Sequence, residues 1–336
     1  MKILKTIVAI AILTISCSKD NDEPQPQPET PKVTTVYVGG TEKDTEPVTV
    51  NTKNIPIIWK DGVAQKLPIA TGNEGEVLAI FVDGNDIYAV GHENSSTAVA
   101  AYNAVMWKNG IKTTLSNGAA SAKAIYVFNG KPYIVGAKNQ VATLWYDNTS
   151  TVLSNGGEAT GIYVKNNDIY ICGNTSTGVG FWKINNEGTN FTYSFSQSNA
   201  RSICVQDNNV FIAGFSVTTA NILNAKLWNA NLISNEQYGD DTAMWSVFAQ
   251  GQNVYACGYK VVNMSSTRAM LWKNNQSTQL SQNLSFAYSV FATPTDNYVA
   301  GSETVLNSKA CIWKNGKIQT LSTKNSAATS VFVTVK

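Results

Sequence analysis

Ala104-Val105-Met106-Trp107-Lys108-Asn109-Gly110 is the stretch on which the fold turns. An apolar run meets a tryptophan, and a Lys-Asn-Gly turn follows at once. Asn-Gly between extended segments signals a tight hairpin, because a type I′ turn needs positive φ at both central residues. The text recurs as Trp59-Lys60-Asp61-Gly62 and Trp313-Lys314-Asn315-Gly316, and the tryptophan returns at Trp145, Trp182, Trp228 and Trp272. A leucine stands eight residues after five of these tryptophans, at Leu67, Leu115, Leu153, Leu280 and Leu321. Each tryptophan strand therefore turns sharply into another strand.

A second pattern precedes each tryptophan: a small residue, an aliphatic, a bulky residue and an aliphatic, then a turn, then an aromatic and a glycine three residues later. Ala79 leads to Tyr88 and Gly91, Ala124 to Tyr133 and Gly136, Gly161 to Tyr170 and Gly173. Ser202 leads to Phe211 and Gly214, Ser246 to Tyr255 and Gly258, Ser289 to Tyr298 and Gly301. The offset from small residue to aromatic is nine in all six. A constant offset across a turn is what a fixed hairpin register demands, since a slip of one residue exchanges the two faces. One repeat is thus four short strands: A (small-aliphatic), B (aromatic-glycine), C (tryptophan) and D (leucine). Four strands per repeat of 37 to 48 residues is the pattern of a propeller blade.

The chain ends fit together. Val36-Tyr37-Val38-Gly39-Gly40 and Ile57-Ile58-Trp59 supply B, C and D without an A, and Ser330-Val331-Phe332-Val333 supplies an A alone. The expected fold is all-β: a seven-bladed β-propeller of four-stranded blades over residues 33–336, closed by pairing of its N- and C-terminal strands. Closure removes the exposed edges that an open array would leave.

These strand texts resemble the HAF-type extracellular repeat family, whose units carry an apolar-Trp-x-Asn-Gly turn and a Val-Gly ending. The segment from Ala104 to Gly110, continued through Ile134-Val135-Gly136, matches best. Trp145, followed by Tyr146-Asp147-Asn148, and Trp228, followed by Asn229-Ala230-Asn231, depart from it. The resemblance implies an extracellular propeller and transfers no active residue.

Residues 1–16 read as an export signal: Met1-Lys2-Ile3-Leu4-Lys5 opens with basic charge, and an apolar run of about ten residues follows, too short for a spanning helix. Leu13-Thr14-Ile15-Ser16-Cys17 resembles the bacterial lipobox, which implies cleavage before Cys17 and lipid on that residue. Residues 17–32 carry Pro24, Pro26, Pro28 and Pro31 among acids and amides, too little apolar surface to offset chain entropy, so a disordered tether is expected. Cys17-Ser18-Lys19-Asp20-Asn21-Asp22-Glu23 resembles the acidic export signal of Bacteroidota surface lipoproteins. That places the protein, anchored to the membrane by its lipid, on the outer face of the outer membrane; the periplasmic leaflet is the alternative.

The chain has 25 basic and 23 acidic residues, and loss of Lys2 and Lys5 with the signal balances them. Arg201 and Arg268 are its only arginines. No nucleic-acid partner is expected from so even a balance, and a monomer is. Cys172, Cys204, Cys257 and Cys311 fall in apolar strand patterns at no metal-ligand spacing and read as buried free thiols; Cys172 and Cys204, in neighbouring blades, are the one pair worth testing for a disulfide. His92, the only histidine, is expected at the start of a polar loop, exposed to solvent. Asp240-Asp241 is the one paired acid in the folded part and reads as a solvated loop; Asp241-Thr242-Ala243 resembles a short O-glycosylation acceptor. No cofactor and no metal is expected.

The tryptophans and B-strand tyrosines recur at fixed positions, which assigns them to packing between blades. Positions that break the repeat are the informative ones. The residue just before the small A-strand residue is Leu78, Lys123, Thr160, Arg201, Trp245, Tyr288 and Thr329 in successive blades. It falls where the innermost strand begins, at the rim of the central channel. Arg201, Trp245 and Tyr288 come from consecutive blades and with Lys123 form the candidate ligand-binding set: a guanidinium and two aromatics with polar edges suit a sugar or a peptide. The B–C connections, longest in the first, second, fifth and sixth repeats, rise from the same face. The expected function is a non-catalytic binding module for protein or glycan. The alternative is a polysaccharide hydrolase or lyase with its site in the funnel; that chemistry needs two carboxylates across a cleft, and the sequence supplies candidates such as Glu76 and Glu158 but no reason to pair them. A scaffold or adhesin is a third.

Overall fold

In a computed structural model the described residues are 32–46, 48–49, 52–94, 102–185, 188–195, 197–230, 234–263 and 265–336. The signal segment 1–16 and Cys17 lie outside them. One compact unit spans Thr34–Lys336. Among the described residues no helix is long and apolar enough to cross a membrane.

The strands are, in chain order, β1 (Thr34–Lys43), β2 (Asn54–Lys60), β3 (Val63–Lys66), β4 (Glu74–Asp83), β5 (Asp86–Asn94), β6 (Tyr102–Lys108), β7 (Ile111–Ser116), β8 (Ala120–Phe128), β9 (Lys131–Lys138) and β10 (Val141–Tyr146). There follow β11 (Thr149–Val152), β12 (Gly156–Lys165), β13 (Asp168–Thr175), β14 (Gly178–Asn185), β15 (Gly188–Phe195), β16 (Ser198–Gln206), β17 (Asn209–Val217), β18 (Leu223–Asn229) and β19 (Ser234–Asp240). The chain ends with β20 (Thr242–Gln250), β21 (Asn253–Asn263), β22 (Ser266–Lys273), β23 (Gln276–Gln279), β24 (Leu284–Ala292), β25 (Asn297–Thr304), β26 (Ser308–Lys314), β27 (Lys317–Thr320) and β28 (Ser326–Val335). They form seven four-stranded antiparallel sheets. Six are consecutive quartets beginning at β4; the seventh, taken as blade 1, has the order β28-β1-β2-β3. The last strand supplies the innermost position of the first blade, pairing with β1 from Thr34↔Val335 to Glu42↔Ser326. The chain is a seven-bladed β-propeller sealed by its own ends.

The Trp-Lys-Asn-Gly text does more than turn the chain. Asp61 and Gly62, Asn109 and Gly110, and Asn315 and Gly316 all have positive φ, the requirement of the expected turn. The turn side chain also reaches back across the sheet: Asp61 Oδ1 accepts from Val36 N at 2.8 Å, and Asn109 Oδ1 from Ile87 N at 2.8 Å. Asn274 Oδ1 accepts from Val254 N at 2.8 Å and Asn315 Oδ1 from Asn297 N at 2.9 Å. In these four blades the C–D turn is thereby fastened to the start of strand B. The lysine before it lies over the B-strand tyrosine, as with Lys108 Nζ 5.0 Å from the Tyr88 centroid.

The core lies between blades. Trp59, Trp107, Trp182 and Trp313 are fully buried, and each cluster joins one blade's tryptophan to its predecessor's face: Trp107 packs with Tyr37, Ile58 and Leu67. Trp107 Nε1 donates to Pro68 O at 2.8 Å, and Trp182 Nε1 to Ser154 O at 2.8 Å. The recurrent leucine is where the D strand closes this interface, so Leu67 and Leu153 are buried. All four remaining cysteines are free and buried; burial pushes the Cys172 and Cys204 thiols up to about 12.

Candidate functional site

Every innermost strand carries a β-bulge, and the bulged residue is the variable one. The A–B register slips between Val77 and Ala79, Ala122 and Ala124, Ala159 and Gly161, Ala200 and Ser202, Met244 and Ser246, and Ala287 and Ser289. In blade 1 it slips at Gly39–Gly40 against Ser330 and Ala328. The residues left out of the ladder are Leu78, Lys123, Thr160, Arg201, Trp245, Tyr288 and Thr329. A bulge frees one residue from pairing and re-aims its side chain; here it does so seven times around one axis. All seven, together with Glu158, line a single cavity of about 280 Å³.

The same bulge explains the B-strand glycine. The kinked backbone brings the carbonyl two residues before each bulge so close that a Cβ on Gly91 would sit 1.9 Å from Glu76 O. The corresponding distances are 1.9 Å from Gly214 to Asn199 O and 1.9 Å from Gly258 to Ala243 O. Only glycine fits opposite the bulge.

The four predicted site residues converge. The Arg201 guanidinium lies 4.2 Å from the Trp245 ring centroid and 5.5 Å from that of Phe215. Trp245 and Tyr288 meet edge to face at 6.0 Å and 81°. Lys123 Nζ is 3.3 Å from Glu158 Oε1. Two bulge residues serve the scaffold instead: Thr160 Oγ1 donates to Ala200 O at 3.0 Å, and Thr329 Oγ1 to Val77 O at 2.6 Å, each tying neighbouring inner strands together.

Arg201 forms no ion pair or hydrogen bond with any described residue, and its Nε is buried, as is the Nε1 of Trp245, with no acceptor for either. Burial lowers the pKa of the guanidinium, and the Glu158 carboxylate works against that shift. Burial raises the Tyr288 phenol, with Ser302 hydrogen-bonding to it in opposition. The mouth thus holds, at Arg201 and Trp245, two N–H donors for which no described residue supplies an acceptor.

Glu158 was foreseen as a carboxylate but not as part of this lining. It stands two residues before the bulge in blade 4, as Glu76 does in blade 2, so the two flank Lys123 of blade 3. Glu76 is not among the cavity-lining residues; its Oε1 accepts from Asn54 Nδ2 at 3.1 Å, and burial, then the Glu74 charge, raises its pKa. His92 departs from the expected solvent-exposed loop position. It lies within β5, opposite Glu76 and Ala104, edge-on to Tyr102 at 4.6 Å, because the hairpin to β6 is longer than the glycine alone suggests. Burial, then Lys123, brings its pKa down to about 4. The longer connections are likewise partly strand: β21 runs on to Asn263 and β22 resumes at Ser266, so blade 6 raises a β-hairpin rather than a loop.

The far end of the channel is different in kind. One A-strand position carries Phe81, Tyr126, Tyr163, Phe248, Phe291 and Phe332, whose rings touch around the axis at 4.4 to 5.0 Å, with Cys204 at the seventh place. The sequence pattern marks this position as bulky, but not that its rings meet around the axis, and blade 5 departs from it with Cys204.

No family model matches the sequence, and no curated protein does. Among solved structures, the chain is similar to the β-propeller domain of the Trilobed protease from Pyrococcus furiosus, described as having an open velcro topology, at 10% identity and a TM-score of 0.54 over 87% of this chain and 93% of that one. It is similar also to an acylaminoacyl peptidase in complex with Z-Gly-Gly-Phe-chloromethyl ketone, at 9% identity and a TM-score of 0.53 over 87% of this chain and 51% of that chain, about half its length. At such identities the likeness is one of fold alone. By that likeness and by its own strand order, the chain is a β-propeller.

Proposed function

We propose that this is a non-catalytic binding module, held to the outer membrane through lipid on Cys17, that takes its ligand at the channel mouth. One observation carries the reading: seven bulges deliver the most variable residue of each repeat to one cavity, where Arg201, Trp245, Tyr288 and Lys123 meet. A scaffold position would be expected to repeat, as the tryptophans do. Glu158 is the one carboxylate in the lining, whereas glycosidic hydrolysis ordinarily uses a pair, which favours binding over the hydrolase reading. The resemblance to extracellular repeats agrees with a surface role for protein or glycan capture.

The test is capture from the native cell surface, together with a glycan array, using wild type and the variant Arg201→Ala/Trp245→Ala/Tyr288→Ala. Capture should vanish in the variant while its circular dichroism stays unchanged; equal capture by both would sink the proposal.

A further inference from the structure

We propose that the ligand is an acidic glycan, with a uronate carboxylate seated on Arg201 and the sugars that follow lying across blades 3 and 4. The inference rests on the binding function proposed above and deepens it.

A guanidinium taken out of water without a partner is costly, and a bound anion relieves that cost. Arg201 is in that position: it stacks on Trp245 at 4.2 Å but makes no ion pair or hydrogen bond with a described residue. Lys123, the other cation of the mouth, is already engaged by Glu158 at 3.3 Å. The buried Nε of Arg201 and Nε1 of Trp245 both lack acceptors among the described residues, which leaves an unsatisfied donor in each of the neighbouring blades 5 and 6. A carboxylate seated against the guanidinium neutralises the cation. Charge-assisted pairs of this kind are the stronger hydrogen bonds.

The opposite side of the mouth has the other half of a sugar's chemistry. Glu158 presents carboxylate oxygens that accept from hydroxyls. A monovalent anion alone would find no use for them; a hydroxylated acid does.

A second observation points to a chain of sugars. A depression of about 990 Å³ shares Lys123 and Glu158 with the mouth and runs outward over blades 3 and 4. Gln140, Ser154, Asn155 and Asn174 line it together with apolar surface from Tyr102, Val141 and Val152, which suits the C–H faces of sugar rings, and Lys123 and Glu158 are its only charged residues. Asn174 Oδ1 is held by Ala200 N at 2.9 Å, which leaves its amide N–H groups as donors. Neutral amides and hydroxyls suit polyhydroxylated units. Peptide-recognition grooves instead draw much of their specificity from side-chain pockets.

The experiment is calorimetric titration of the full-length protein in detergent with tetragalacturonate and tetramannuronate, each beside galactotetraose or mannotetraose, and with methyl-esterified tetragalacturonate. An acidic tetrasaccharide should bind, and its neutral counterpart at least about tenfold more weakly. Arg201→Gln should cost the acid roughly 10- to 100-fold, the range of a charged hydrogen bond, with Arg201→Lys falling between. Asn174→Ala with Gln140→Ala should weaken the tetrasaccharide and leave the corresponding monosaccharide uronate unchanged. Equal binding of acid and neutral sugar overturns the inference, as does failure of both acids. If the acids fail while the triple alanine variant still abolishes cell-surface capture, the binding function stands without this ligand; if that variant captures normally, both readings fall.

Discussion

At Gly214 the requirement for glycine is one of space. A Cβ there would lie 1.9 Å from Asn199 O and 2.9 Å from Trp228 Cζ3, and neither backbone nor indole has room to retreat. Gly214→Ala should therefore destabilise by about 2–3 kcal/mol, the upper range for overpacking, in urea unfolding. Gly157 meets nothing closer than 3.5 Å, and Gly157→Ala should change stability by no more than about 0.5 kcal/mol. Equal effects would refute the bulge as the reason for the glycine. His92 is a second case of burial deciding chemistry. Unfolded, it takes a proton below its ordinary value of 6.5, but folded it stays neutral down to about 4. Its contribution is therefore present at neutral pH and is lost as pH falls through that window. From pH 7 to 5 the wild type should lose about 2 kcal/mol more than His92→Gln, by proton linkage; parallel pH–stability curves would show the imidazole to be solvated after all.

The innermost strand is the element on which site and scaffold meet. Its small residue is serine in four blades, and each hydroxyl accepts from the next blade's backbone. Ser330 Oγ takes Ile80 N at 3.1 Å, Ser202 Oγ takes Val247 N at 3.2 Å, Ser246 Oγ takes Val290 N at 3.2 Å and Ser289 Oγ takes Val331 N at 3.1 Å. The bulge turns one side chain to the channel while the serine after it fastens the strand to its neighbour, so the exposed position can vary without loosening the ring. Ser330→Ala leaves the buried Ile80 N–H without an acceptor and should cost about 1–3 kcal/mol in chemical denaturation. No measurable change would mean the hydroxyl is dispensable there, as at Ala79 and Ala124 in the blades that lack it.

For the whole molecule, closure is the question. Blade 1 borrows β28 from the far end of the chain, and Ala328, Val331 and Val333 complete the cluster around Trp59. Truncation after Asn325 removes that strand, uncovers the edge of β1 and opens the interface to blade 7. The truncated chain should lose its near-ultraviolet circular dichroism and aggregate, and a peptide of residues 326–336 should restore the signal by strand addition. A soluble truncated chain with native spectra would show that the ring does not depend on its seal.

Blade number, strand order and the closing pair were written in the sequence because each rests on local chemistry: positive-φ turns at Asn109-Gly110, two-residue alternation, and a fixed offset from small residue to aromatic. The seven variable positions were legible for the same reason, as departures from a repeat. What the tertiary structure alone decided is non-local. The bulge arises only when strands A and B pair, and it gathers Arg201, Trp245 and Tyr288, some forty residues apart in sequence, around one cavity with Glu158. That the Nε of Arg201 finds no acceptor there among the described residues, and that His92 is half-buried in a strand rather than solvated in a loop, follows from which blades become neighbours once the ring closes, and no pattern within a single repeat encodes it.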